Sequence, residues 1–256
     1  MTDYINKMAL DLFGIKTDPD NAEKLRAYLL KTYGNESLQT VKKVFASGEA
    51  ADILTVNETY FFREPSHFQF LLETLPAFEN SGIQICSAAA SKGCEAYSIA
   101  MMIETYNKRA ENPISYSIDA FDVSSNVIEA ACKGVYNTRV FREDGSGFRY
   151  MADPYIEKLS DGYRVNTSLK KNINFFVHNL MDELPSKEYD FIFFRNAFIY
   201  FTPENRERVV SNLSAVLKER GIIFFGVSET IGVRHESLDG KNKGDLFYFQ
   251  KSAGKN

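Results

Sequence analysis

The sequence predicts an α/β fold with a mostly parallel sheet and a small helical region in front of it. Before residue 80 no convincing strand pattern occurs, and the apolar residues follow helical periodicity. After Gly82, short apolar runs alternate with helical segments, and such alternation indicates right-handed βαβ units. We therefore expect a helical N-terminal domain and linker over residues 1–72, followed by an α/β domain over residues 73–256.

The helical region contains several segments with recognisable ends. Asp20 and Glu23 resemble a capping box before "KLRAYLLKTYG", and Gly34 with Asn35 is expected to end that helix. The segments "ESLQTVKKVFASG" and "EPSHFQFLLETLPAF" are shorter and amphipathic. Between them, "NETYFFRE" interleaves polar and aromatic residues, which a simple core segment does not require.

Six apolar runs after Gly82 are predicted strands. They read "GIQICSAA", "YSIDAFDVS", "INFFVHNL", "YDFIFFRN", "GIIFFGVS" and "DLFYFQK". The helix after the first strand is expected to begin at about Glu95, and Ser124 or Ser125 caps the helix after the second. The final run, within "KNKGDLFYFQK", is predicted to be an edge strand with a basic rim.

One long helix is predicted between the fourth and fifth strands, over residues 202–221. Thr202 caps it, Pro203 suits its first position and Gly221 ends it. Its buried stripe is expected to consist of Val209, Leu213, Val216 and Leu217.

A polar segment over residues 136–172 interrupts the alternation of strands and helices. It contains two turns centred on glycine. We expect it to be an inserted subdomain, built as a small antiparallel β element.

Composition excludes several classes of protein. The 256 residues are 44% hydrophobic and carry a net charge of −4, so the chain can bury a core and gives no electrostatic reason to bind nucleic acid. No apolar run approaches the roughly 20 residues of a membrane span, and the N-terminus lacks a signal-peptide pattern. The three cysteines show no C-x-x-C spacing, and the three histidines are scattered. We therefore expect a cytoplasmic protein without a metal ion or membrane insertion. Separately, we expect it to be a monomer.

The residues that follow the predicted strands are the candidates for ligand binding. In open α/β sheets the ligand lies beyond the carboxyl ends of the strands, where the strand order reverses. The loop after the first strand has Gly93 as its only glycine, which argues against the three-glycine fingerprint of NAD and FAD enzymes. Such a turn suits a nucleoside ligand without phosphates, and S-adenosylmethionine is one. Asp122 ends the second strand, where it either accepts hydrogen bonds from ribose hydroxyls or caps the following turn.

Five blocks together resemble the CheR family, the S-adenosylmethionine-dependent glutamate O-methyltransferases of bacterial chemotaxis. They read "NETYFFRE", "CSAAASKGCEAYSIA", "AFDVSSNVIEAACKGVY", "FFRNAFIYF" and "LKERGIIFFGVSE", and span roughly residues 55–250 in order. The resemblance implies a Rossmann-like methyltransferase sheet of the seven-stranded type, with a small all-helical N-terminal domain and a small inserted subdomain. It also implies that the partners are methyl-accepting chemotaxis receptors, contacted through their cytoplasmic helices and in some members through a C-terminal tail peptide docked on the insertion.

The resemblance also implies which residues form the site. Arg63 and Tyr200 correspond to the residues that flank the methyl group, which makes them the catalytic candidates. The residues that match cofactor-binding positions are Asn57, Thr59, Arg63, Glu95, Asp122, Asn179, Leu180, Arg195 and Asn196. In the loop after the first strand, Cys94 and Ala96 replace an acid and a proline that are common in the family, and Ser124 replaces a second acid.

The residue types fit methyl transfer to a carboxylate. A side-chain carboxylate is already ionised at pH 7, so no general base is needed. The remaining tasks are alignment within ~3–3.5 Å and removal of water from the reacting groups. Taken singly, Arg63 is more typical of a solvated or surface-paired arginine, and Tyr200 is equally consistent with a core aromatic residue.

Two other functions stay open at this point. The chain could methylate another protein or a small carboxylate, or it could be a silent binding module on a cofactor fold. The joint presence of Arg63, Asp122, Asn196 and Tyr200 argues against a silent module.

Overall fold

The computed structural model describes residues 1–55 and 57–253. In that part of the chain the first five α-helices are α1 Thr2–Phe13, α2 Pro19–Tyr33, α3 Leu38–Ala46, α4 Glu49–Leu54 and α5 Pro65–Thr74. The later helices are α6 Cys94–Asn107, α7 Ser125–Lys133, α8 Arg149–Ala152, α9 Thr167–Lys170 and α10 Pro203–Ala215. None of the described helices has the length and apolar character needed to cross a membrane.

Ten strands form two sheets in the described residues. The first five strands are β1 Ile83–Ala88, β2 Tyr116–Asp122, β3 Val135–Asn137, β4 Ile156–Lys158 and β5 Gly162–Val165. The others are β6 Ile173–Val177, β7 Tyr189–Phe194, β8 Leu217–Phe225, β9 Leu238–Lys243 and β10 Leu246–Lys251. All six strands predicted from the apolar runs are present.

The large sheet has seven strands in the order β6-β2-β1-β7-β8-β10-β9. The strands from β6 to β8 are parallel, with Ile85 of β1 paired to Ile118 on one side and Phe191 on the other. The last two strands run antiparallel to their neighbours. The predicted α/β, seven-stranded fold is therefore confirmed, and its strand order reverses between β1 and β7, which is where such sheets hold a ligand.

Alternating side chains divide the core between the two faces of the sheet. Ile85 and Phe193 belong to the cluster that α5 and α6 cover, whereas Cys86 and Phe194 belong to the cluster that contains the first four helices and α10. Because successive strand residues point to opposite faces, one strand supplies both clusters. The N-terminal helices therefore share a continuous apolar core with the sheet.

Two predicted helix ends are wrong. Helix α2 begins at Pro19, and its cap is Asp18, which accepts a hydrogen bond from Asn21 N at 2.7 Å. Asp20 lies inside the first turn instead. Helix α10 begins as predicted at Pro203, with Thr202 as its cap, but it ends at Ala215 and not at Gly221.

The reason for the early end of α10 is a bulge in β8. Tyr189 pairs with Leu217, but Phe191 pairs with Ile222, so the intervening residues of β8 are extra. Arg220 takes a positive φ of 61° there. Val216 and Leu217, expected on the helix, are the helix cap and the start of the strand.

The C-terminal edge of the sheet also differs from the prediction. Strands β9 and β10 form a hairpin around Gly244, which has a φ of 59°. Strand β10 lies between β8 and β9, so the predicted edge strand is internal and β9 forms the edge. The alternation of β9 is weak because only Leu238 in it is buried.

The insertion contains a separate three-stranded antiparallel sheet in the order β3-β5-β4. The linker is attached to it, since Phe61 N donates to Val140 O at 2.9 Å and the Phe61 ring packs on Tyr136 at 5.2 Å. The division of the chain at residue 72, and the limits 136–172 for the insertion, stay predictions.

Candidate active site

A cleft opens at the carboxyl ends of β1, β2, β6 and β7. It encloses about 1030 Å³, part of which is open to solvent. All ten residues predicted from the sequence line it, namely Asn57, Thr59, Arg63, Glu95, Asp122, Asn179, Leu180, Arg195, Asn196 and Tyr200. The linker and the strand ends thus meet at one place, while the role of each residue stays a prediction.

Glu95 and Arg195 form the buried ion pair on one side of the cleft. Glu95 Oε2 accepts from Arg195 Nε at 2.7 Å, and Glu95 Oε1 accepts from Ser87 Oγ at 2.6 Å. Arg195 Nη1 donates to the carbonyl oxygen of Arg63 at 2.7 Å. Charge-assisted hydrogen bonds of this kind are strong, so Arg195 holds the linker to the end of β7 and to the start of α6.

His67 completes the surroundings of Arg195, and sequence reasoning missed it. Arg195 Nη1 lies 3.0 Å from His67 Nδ1, and because a guanidinium can only donate, Nδ1 accepts. Burial, with the nearby Arg195 charge, lowers the pKa of His67 to about 2. The imidazole is therefore neutral at physiological pH. No spacing in the sequence distinguishes it from an ordinary core histidine.

Asn196 has a left-handed backbone that two carboxylates support. Its φ is 60°, its N–H donates to Glu229 Oε2 at 2.7 Å, and its Nδ2 donates to Glu64 Oε1 at 3.0 Å. Glu229 also accepts from the backbone N–H groups of Gly226 at 3.0 Å and Ile199 at 3.2 Å. Burial raises the pKa of Glu229.

Sequence reasoning assigned no role to Glu64 or Glu229. Both lie in quoted blocks, Glu64 at the end of "NETYFFRE" and Glu229 at the end of "LKERGIIFFGVSE". An acidic residue four positions after an otherwise apolar strand end was the signal that could have found Glu229. The contact to Asn196 spans 33 positions in the chain, which only the fold reveals.

Asp122 has the turn-capping role that the sequence left open, and its ribose role stays a prediction. Its Oδ2 accepts from Ser91 N at 2.9 Å and its Oδ1 from Ser124 N at 3.1 Å, so it does organise two turns. Each carboxylate oxygen still has a second lone pair for a ligand hydroxyl. Burial raises the pKa of Asp122, against the backbone N–H groups of Ser124 and Ser91, which lower it.

Asn57 and Asn179 use their side chains to hold neighbouring chain segments. Asn57 Nδ2 donates to the carbonyl oxygen of Asp52 at 3.2 Å. Asn179 Nδ2 donates to Leu12 O at 2.6 Å, while its Oδ1 accepts from Met181 N. In this structure both amides therefore brace the wall of the cleft.

The two catalytic candidates lie in different surroundings. Arg63 is half-buried, donates from Nη1 to Glu58 O at 3.0 Å and lies 5.5 Å from the Tyr60 ring. Tyr200 is also half-buried, and its carbonyl oxygen accepts from Lys16 N at 2.9 Å. That hydrogen bond holds the segment after α1 against the cleft. The sequence did not predict this contact.

Backbone strain is concentrated around the cleft. Seven non-glycine residues in the described part of the chain have a positive φ, and five of them border the cleft or support its lining. These are Phe62, Glu64, Ala89, Ser91 and Asn196, with φ between 49° and 60°. Such conformations cost about 1–3 kcal/mol each and cluster at functional sites.

The residues present fit a nucleoside-bearing ligand such as S-adenosylmethionine. Ser91 Oγ and His178 Nε2 are buried polar atoms without a hydrogen-bond partner in the described residues, and both residues line the cleft. Buried polar groups are normally paired, so these atoms are available to a polar ligand in the cleft. Asp122 offers its remaining lone pairs nearby. The described residues contain no cluster of His, Cys, Asp or Glu arranged to hold a metal ion.

Comparison with known proteins agrees with this geometry. The family model described as "CheR methyltransferase, SAM binding domain" matches residues 57–244. A chemotaxis protein methyltransferase of Borreliella burgdorferi is 37% identical over 195 residues, which cover 72% of this chain and 68% of that protein.

Two further matches extend the comparison. A protein of Pseudomonas aeruginosa named a probable biofilm formation methyltransferase is 34% identical over 189 residues, covering 70% of this chain and 43% of that one. The crystal structure of magnesium protoporphyrin IX methyltransferase from Synechocystis PCC 6803 with bound SAM superposes with a TM-score of 0.40 at 13% identity, covering 92% of this chain and 99% of that one. On the family match and the sequence identity, the chain belongs to the CheR family of S-adenosylmethionine-dependent methyltransferases.

Proposed function

We propose that the protein transfers a methyl group from S-adenosylmethionine to glutamate side chains of chemotaxis receptors and forms glutamyl methyl esters. The observation that supports this most is that the two arginines lining the described cleft have different partners. Arg195 is buried and committed to Glu95, whereas Arg63 is half-buried, with one donor directed at a backbone carbonyl oxygen. Arg63 therefore has donors with which to hold an incoming carboxylate.

Bound S-adenosylmethionine supplies an electrophilic methyl group on a sulfonium. The protein's task is to bring a carboxylate into line with it and to exclude water. Arg63 holds one carboxylate oxygen through a charged hydrogen bond, and Tyr200 orients it from the other side through its hydroxyl group. A glutamate is ionised at neutral pH, so no residue needs to remove a proton.

The remaining predicted residues bind the cofactor. Asp122 accepts hydrogen bonds from ribose hydroxyls, while Leu180 gives an apolar surface for the base. Glu95 acts through Arg195, which fixes the position of the Arg63 backbone. Glu64 and Glu229 hold Asn196 in its orientation by accepting hydrogen bonds from its side chain and its backbone.

The named relatives support the sensory context. The Borreliella protein is named for chemotaxis, and this supports receptors as the substrate class and the cytoplasm as the place of reaction. The three-stranded sheet in the insertion supports the docking of a receptor tail peptide there. We further propose that the enzyme acts as a monomer.

A second candidate is methylation of a receptor in a pathway that controls biofilm formation. The relative from Pseudomonas aeruginosa with that name favours it. The chemistry at the cleft would be identical, and only the receptor would differ.

Labelled methyl transfer to receptor-containing membranes tests the proposal. After the reaction, mild alkali should release volatile label, because glutamyl methyl esters hydrolyse under these conditions and N-methyl groups do not. Label that is stable to alkali would contradict ester formation. Absence of label together with absence of binding to S-adenosylhomocysteine in calorimetry would indicate a silent module.

A further inference from the structure

Three exposed apolar side chains lie on the two segments that Glu229 joins at the ends of β7 and β8. Ile199 is 48% exposed, Val227 is 65% exposed and Ile231 is 91% exposed. We call these three residues the rim patch. Exposed apolar groups that cluster beside a binding site mark contact surfaces for other macromolecules.

The rim patch is anchored to the residues of the cleft. Glu229 accepts hydrogen bonds from the backbone N–H groups of Ile199, Gly226 and Asn196. The turn that carries Val227 and Ile231 is thereby tied to the segment that carries the cleft-lining residues Asn196 and Tyr200. The patch therefore lies on the same joined segments as two residues that line the cleft.

Basic groups flank the patch. Arg206 donates from Nε to Phe198 O at 3.1 Å, and its guanidinium lies 5.0 Å from the Phe198 ring. A Cβ at Gly232, next to Ile231, would lie 3.7 Å from Arg206 Nη1. Arg234 is exposed two residues further along the chain. Arg206 therefore provides a positive charge beside the patch that can pair with an acidic partner, and Arg234 adds a second in the same segment as exposed Glu236, in a chain of net charge −4.

We propose that the rim patch, with Arg206 and Arg234, docks an acidic segment of the protein methyl acceptor. An apolar side chain of that segment rests on Ile231 while its glutamate enters the cleft. This inference rests on the proposed function, because it takes the acceptor to be a protein glutamate. It adds the surface that selects which glutamates are presented.

The test is steady-state methylation of receptor-containing membranes by Ile231→Ser. Loss of an exposed apolar anchor should raise KM for the receptor by roughly five- to thirtyfold, with the Kd of S-adenosylhomocysteine unchanged. The matched control is Leu38→Ser, since Leu38 is 54% exposed and does not line the cleft. It should keep the wild-type KM.

A second variant tests the charge. Arg234→Glu should raise KM at low salt, and the difference from wild type should shrink as salt screens the interaction. Wild-type esterification with unchanged KM in both variants would overturn the docking surface and leave the proposed function standing. If the wild-type enzyme forms no base-labile ester at all, the proposed function fails, and the docking inference fails with it.

Discussion

The backbone N–H of Asn196 donates to Glu229 Oε2 at 2.7 Å, across the gap between the ends of β7 and β8. This contact explains why Gly226 begins the turn after β8, since a Cβ there would lie 2.6 Å from Glu229 Oε2 and 2.8 Å from Asn196 Nδ2. The cleft-facing turn at Asn196 therefore depends on a carboxylate that itself does not line the cleft.

Glu229→Gln should weaken binding of S-adenosylhomocysteine and lower stability by about 1–3 kcal/mol. The amide offers only one acceptor oxygen and directs an NH₂ group at backbone N–H donors, which leaves the Asn196 turn without full support. Calorimetry and urea unfolding measure the two effects. Glu236→Gln, at an exposed position, is the control and should change neither. An unchanged Kd in folded Glu229→Gln would show that the turn does not need the carboxylate.

Glu95→Gln should destabilise the protein by about 3 kcal/mol, because it leaves the Arg195 guanidinium buried without its main counter-charge. The matched control is Glu157→Gln, which breaks the exposed pair with Arg164 at 3.1 Å and should cost less than about 1 kcal/mol. Urea unfolding gives both values. Equal costs would mean that burial does not strengthen the Arg195 pair.

Asp122→Asn should raise the Kd of S-adenosylhomocysteine by roughly 10- to 100-fold, since a charged acceptor of ribose hydroxyls is worth about 1.5–3 kcal/mol. The substitution keeps one acceptor oxygen and places an NH₂ group against the N–H of Ser91 or Ser124, so stability should fall by about 1–3 kcal/mol while the protein stays folded. Calorimetry is the measurement. Asp153→Asn, in an exposed pair with Arg149, should bind like wild type. A change below threefold would remove the ribose role.

Tyr200→Phe should lower kcat by about tenfold, the value of one neutral hydrogen bond of about 1.4 kcal/mol in the transition state. The Kd of S-adenosylhomocysteine should stay within about twofold, because the ring remains. Arg63→Ala should also lower turnover. Tyr150→Phe, an exposed tyrosine outside the cleft, serves as the control. Wild-type turnover in both Tyr200→Phe and Arg63→Ala would remove their catalytic roles.

His67→Gln should reduce the loss of stability at mildly acid pH. The pKa of His67 is about 2 in the folded protein, against a usual 6.5, so between these values only the unfolded chain binds the proton. The contribution of neutral His67 to stability is complete above pH 6.5. Below that pH this contribution falls, and the free energy of unfolding decreases by up to about 1.4 kcal/mol per pH unit. Glutamine does not titrate and can still accept from Arg195.

Urea unfolding at pH 7 and pH 5 of both proteins gives the comparison for His67. The wild-type decrease should exceed that of His67→Gln by about 2 kcal/mol. Equal decreases would show that the folded protein takes up the proton at His67 and that the imidazole is not held neutral.

Local sequence was sufficient for the main elements of the fold. Apolar runs predicted the strands of the parallel sheet because a buried strand needs continuous apolar residues. Thr202 marked one helix start and Ser124 or Ser125 another, because a side-chain oxygen must satisfy the free N–H groups there; the structure places the second cap at Ser124. The end of α10 was not predictable. Whether Val216 continues a helix or begins a strand depends on pairing with β7, and that information lies outside the segment.

The sequence by itself determined which residues stand at the strand ends, and its resemblance to the CheR family supplied ten of the residues that line the cleft. Only the tertiary structure decided which partners these residues contact. Arg195 donates hydrogen bonds to Glu95 and His67, while Glu229 accepts one from Asn196 across 33 positions of the chain. The physical reason is that hydrogen bonds and burial join positions far apart in the chain, whereas sequence periodicity reports only neighbours within one element. Long-range pairing therefore brings the polar strand ends and the linker together in one cleft.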